Sequence, residues 1–104
     1  MIFYTTDRDG ITEINPSERK LREILRSLDE DRSEHGEVWL THTESNWQAT
    51  VFSNGTIHLE NETLHEPTRE LRGTGFAKAL EIWEMLSRGN TEAILKQPWN
   101  LLDE

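Results

Sequence analysis

The stretch EVWLTHTESNWQATVFSNGTIHLEN, Glu37 to Asn61, decides the fold. Its apolar residues alternate with polar or outward ones in three runs: Val38 and Leu40 around Trp39, Ala49 and Val51 around Thr50, Ile57 and Leu59 around His58. Period-two alternation belongs to a strand with one buried face, and three such runs parted by turn residues predict a three-stranded antiparallel meander. The turn Ser53-Asn54-Gly55 sets its register. A two-residue turn would put Phe52 opposite Ile57 and leave each face half polar. A three-residue loop with Gly55 in the left-handed conformation, forming a bulge, puts Val51 opposite Ile57 and Ala49 opposite Leu59. One face then reads Val38, Leu40, Ala49, Val51, Ile57 and Leu59 with Trp47 at its end. Trp39 and Phe52 fall side by side on the other, framed by Thr41, Thr50, Thr56 and His58.

On the N-terminal side, Ile2 to Thr6 and Ile11 to Ile14 are short β-prone runs around Asp9-Gly10, a strong hairpin signal. Asn15-Pro16-Ser17-Glu18 supplies a cap, a proline at the first helical position and a glutamate placed for a capping box. The helix it opens runs from Pro16 to about Asp29, with Leu21, Ile24, Leu25 and Leu28 as a narrow apolar stripe. Asp29 to Gly36 is acidic and reads as a mobile connection. On the C-terminal side, Asn61 to Gly73 reads as an irregular loop holding a short extended piece at Arg69 to Leu71. Thr74 or Gly75 opens a second helix with a wider stripe of Phe76, Ala79, Leu80, Trp83 and Leu86, ended by Gly89. Asn90 caps a third, short helix through about Lys96, stopped by Pro98, and Trp99 returns to the body. The expectation is a single domain over residues 1–104. Its fold class is α+β: a mainly antiparallel sheet of N-terminal hairpin plus meander, packed with two main helices and a short C-terminal one. The second helix should cover the Val38, Leu40, Val51, Ile57 face.

A chain of 104 residues is large enough for a core but not for a core plus a deep cofactor cavity. Twenty acidic against 11 basic residues leave a net charge of -9, which repels nucleic acid and anionic lipid and favours a basic protein partner. Cysteine is absent, which excludes disulfides, thiolate catalysis and cysteine-ligated zinc together. The start of the chain has neither a basic lead nor a long apolar run, so neither a signal peptide nor a membrane span is expected there. These features predict a cytoplasmic, soluble chain with no cofactor, as a monomer or homodimer.

Four histidines, His35, His42, His58 and His65, have no metal-binding spacing, and strand geometry puts His42 and His58 on opposite faces, so no metal site is expected. Arg72, Gly73, Thr74 and Gly75 before the second helix form a candidate anion-binding loop. They lack the third glycine and the parallel βαβ unit of a dinucleotide site. Glu60, Glu62, Glu66 and Glu70 cluster in sequence, but acid-base work needs environments that split their pKa values, and a polar loop offers little burial. No catalytic residues are expected from these patterns.

Glu34-His35-Gly36-Glu37, Thr41-His42-Thr43-Glu44-Ser45-Asn46-Trp47, Ala79-Leu80-Glu81-Ile82-Trp83, Arg88-Gly89 and Pro98-Trp99 give a chain that resembles small bacterial proteins of unknown function. The resemblance covers about two thirds of the chain, mostly at core and turn positions, and implies no activity. In its Asp-Gly hairpin, proline-started helix and antiparallel strands the chain is also similar in architecture to immunity proteins that neutralise bacterial toxins. Two functions follow as expectations. The first is an acidic protein-interaction module, an inhibitor or immunity-type binder of a basic partner, using Trp39, Phe52, Thr50 and His58. The second is a small hydrolase or ligand-binding domain using the 60–75 loop.

Overall fold

The computed structural model of the chain describes residues 2–29, 36–61 and 63–102. The meander forms in the expected register. Strands β3 (Glu37–His42), β4 (Trp47–Phe52) and β5 (Ile57–Asn61) pair antiparallel with Val38 opposite Val51, Ala49 opposite Leu59 and Val51 opposite Ile57. Gly55 takes φ +85°, and the amide of Phe52 donates to Thr56 O across the bulge.

The N-terminal hairpin, β1 (Phe3–Thr6) and β2 (Thr12–Ile14), adds to the β3 edge. On the far side β6 (Arg69–Leu71) pairs with β5, and β7 (Asn100–Leu101) pairs with β6. The result is one seven-stranded sheet in the order β2-β1-β3-β4-β5-β6-β7. Every pairing is antiparallel.

Helix α1 (Glu18–Arg26) continues into a 3-10 turn at Ser27–Asp29. Its cap lies two residues later than the sequence pattern suggests. Ser17 accepts the amide of Lys20, while Asn15 adopts φ 47° and its side chain accepts the amide of Phe3. Asn15 is thus consumed in closing the hairpin before the helix begins. Arg8 Nη1 donates to Ser27 O at 2.6 Å and ties the hairpin turn to the end of the helix. The acidic connection expected between Asp29 and Gly36, with His35, falls almost entirely outside the described residues.

Helix α2 (Phe76–Ser87) lies on the apolar face, where Trp83 is fully buried and its Nε1 donates to Ala49 O at 3.1 Å. Gly89 turns the chain at φ 72°, and Asn90 caps α3 (Thr91–Leu95), whose Ile94 is buried. Trp99 Nε1 donates to Ile94 O at 2.7 Å and leads the chain into β7. The core joins Leu21, Ile24 and Leu25 of α1, the inward residues of β3, β4, β5 and β6, and Ala79, Leu80, Ile82, Trp83 and Leu86 of α2. None of the described helices is long and apolar enough to cross a membrane.

Candidate functional site: the outer sheet face

Side chains alternate along each strand, so the residues opposite the core share one outer face. Pairing aligns one row of it across all seven strands: Thr12, Thr6, Trp39, Thr50, His58, Glu70 and Asn100. The neighbouring row reads Ile14, Tyr4, Thr41, Gln48 and Glu60. Trp39, Phe52 and Tyr4 are half-buried, and Ile14 is 69% exposed. Among the described residues the helices pack on the core side.

Trp39 and Phe52 are diagonal neighbours and not a directly opposed pair. Trp39 faces Thr50, and Phe52 faces Glu37. Tyr4 stands on the other diagonal of Trp39, because Thr6 pairs with Trp39 and Tyr4 with Thr41. A diagonal aromatic stripe therefore crosses β1, β3 and β4. It continues into β5 through an edge-to-face contact of Phe52 with His58, with ring centroids 4.9 Å apart. Tyr4 escaped the sequence reading because nothing there says which edge of the meander the hairpin joins. Thr50 is buried at the centre of the row, between Trp39 and His58.

Beside the stripe lies a charged network. Glu70 Oε2 is 2.8 Å from His58 Nε2, and Arg72 Nε donates to Glu70 Oε1. A carboxylate only accepts, so Nε2 is the protonated ring nitrogen of this pair. The hydrogen bonds from His58 and then Arg72 hold the Glu70 carboxyl below the usual glutamate range, against the opposing effect of burial. The 60–70 glutamates thus do not all lie in a solvated loop: Glu70 sits on β6 and is 7% exposed. The signal for this was available, since an inward Leu71 on an extended piece turns Glu70 to the outer face. Phe52, Asn54, Thr56, His58, Glu70 and Arg72 line an open recess of about 410 Å³. Tyr4, Thr41, Asn46, Gln48 and Glu60 line a smaller one of about 110 Å³.

The structure places Arg72 in the recess with His58 and Phe52, bonded to Glu70. Gly73 is left-handed at φ 66°, and both the amide and the Oγ1 of Thr74 bond to Gly55 O. Gly75 is the N-cap of α2, without a side-chain cap bond. Of the four residues proposed to cradle an anion, one turns to a carboxylate and one spends its amide on the β4–β5 turn. His42 lies on the core face with Nδ1 2.7 Å from Ser45 Oγ, and its Nε2 is buried with no partner among the described residues. Among the described residues no three His, Cys, Asp or Glu side chains converge as a metal site requires. No family model matches the chain, and no curated protein and no solved structure matches it either.

Proposed function

We propose that this protein is an interaction module that docks another protein on the outer sheet face, with Trp39 and Phe52 as anchors and Thr50 and His58 between and beside them. The observation that carries this reading is the one-sided architecture. Helices pack on one face of the sheet, while the other holds a diagonal of aromatic side chains over which no described element packs. Large rings framed by polar groups supply most of the energy in protein interfaces. The net charge of -9 favours a basic partner and speeds its approach. An inhibitor or immunity-type role, in which a small acidic protein blocks a basic one, fits both features.

The test is the double change Trp39→Thr, Phe52→Thr, followed by melting, sizing, and affinity capture with mass spectrometry. The variant should melt within a few degrees of the parent, as for a change near 1 kcal/mol in a domain this size, and should lose its stoichiometric partner. A loss of several kcal/mol would place the rings in the interior. Concentration-dependent melting abolished by the change would make the face a dimer interface instead. Unchanged capture would leave the face without a role.

A second reading, a small hydrolase or ligand-binding domain, draws on the His58–Glu70 pair beside the 410 Å³ recess. A carboxylate that orients an imidazole is the geometry of a general base. It predicts a hydrolytic activity that His58→Gln abolishes while partner capture persists.

A further inference from the structure

We infer that the occupant of the outer sheet face is a basic polypeptide segment that lays an arginine side chain over Trp39 and pairs its guanidinium with Glu37. The inference rests on the interaction-module reading and names the chemistry of the partner.

Three observations carry it. First, Trp39 Nε1 and the Glu37 carboxylate have no hydrogen-bond or ion-pair partner among the described residues, and neither does Glu60. Glu37 and Trp39 are two residues apart on β3 and point to the same side, about 7 Å along the strand. A cation held within roughly 6 Å of the indole is therefore within reach of the carboxylate.

Second, the protein has no described cation of its own to spare for this place. Arg19, Lys20, Arg22, Arg69, Lys78, Arg88 and Lys96 pair with glutamates on their own helix or loop, and Arg72 with Glu70. Arg8 is bonded to Ser27 O, and Arg26 lies over Phe76. Every described lysine and arginine is thus already engaged elsewhere.

Third, the remaining frame suits a long amphipathic side chain. Tyr4 and Phe52 flank Trp39 on its diagonals, at the roughly 7 Å spacing of such neighbours. That spacing leaves slots for an aliphatic stem, with the charged head passing on to Glu37. The same protein stacks arginine on aromatic rings elsewhere, Arg26 at 5.0 Å from Phe76 and Arg69 at 5.3 Å from Trp47. Arginine suits the place better than lysine because its planar head can stack and fork at once. A second copy of this chain is disfavoured, since it would bring a further Glu37 and Glu60 against this face.

The test uses a (Gly-Arg)4 peptide and its citrulline counterpart, which keeps the shape and removes the charge, titrated into the full chain by NMR. The arginine peptide should shift the Trp39 indole N–H and the backbone amides of β3 and β4. The citrulline peptide should bind roughly tenfold more weakly. Glu37→Gln should weaken the arginine peptide by a similar factor, and Glu92→Gln, which removes a carboxylate on α3, should not. Equal binding of the two peptides, or equal effects of the two glutamate changes, would overturn the inference. The two levels separate on the native partner. If Trp39→Thr, Phe52→Thr loses it while Glu37→Gln keeps it, the face binds a protein but not through an arginine. If both variants keep it, the module reading falls as well.

Discussion

One methyl group distinguishes two left-handed glycines of this protein. Gly10 has φ +83° and open space where a Cβ would stand, whereas Gly55 has φ +85° and a Cβ there would meet Thr74 O at 2.7 Å. Gly10→Ala should therefore carry only the left-handed strain, about 1 kcal/mol. Gly55→Ala adds a backbone collision and should lose about 3 kcal/mol or more, read from urea midpoints. Equal losses would mean that the loop before α2 moves aside freely. Glu70 gives a pH-dependent prediction. Its carboxyl is depressed below the ordinary value of 4.5, so its contribution is fully present above that pH and is lost as pH falls through the folded-state value. The stability gap between the parent and Glu70→Gln should be widest near neutrality and close on the acid side. A gap unchanged from pH 7 to pH 3 would mean that the His58 and Arg72 bonds do not act on this carboxylate.

At the scale of elements, helix and strand interact through a single indole as well as through area. Trp83→Phe keeps the ring packing but removes the bond to Ala49 O; it should cost about 1 to 3 kcal/mol, measured by chemical unfolding. A neutral result would show that the sheet carbonyl is satisfied without it. The meander register was legible because alternation is rigidly two-fold and Gly55 admits one loop geometry, so a one-residue slip would have exposed Val51. The start of α1 was less legible, because Asn15 and Ser17 are both good caps and only the closure of the hairpin on Asn15 decides between them. Strand β7 is two residues long and carries no alternation to read. Of the candidate site, Trp39, Thr50, Phe52 and His58 came from one face of one pattern. Tyr4 needed a strand neighbour that only the assembled sheet supplies, and the bond of Arg72 to Glu70 likewise depends on β6 joining β5.

At the scale of the whole molecule, the strand order carries information of another kind. From β4 to β7 each strand lies beside the one that precedes it in the chain, whereas β3 lies beside β1 and not beside β2, across the span that contains α1. Short loops close with little entropic penalty and long ones with more, so the meander should assemble before the hairpin and α1 dock. Its contacts belong in the folding transition state, and those of α1 form afterwards. Ile57→Val should accordingly slow folding, with a φ-value above one half. Leu21→Ala should leave the folding rate nearly unchanged and accelerate unfolding instead. Stopped-flow chevrons of the two variants check the order, and the reverse pattern would place the nucleus at the N-terminal half. The 25 residues from Glu37 to Asn61 that decide the architecture would then also be the part of the chain that sets how fast it forms.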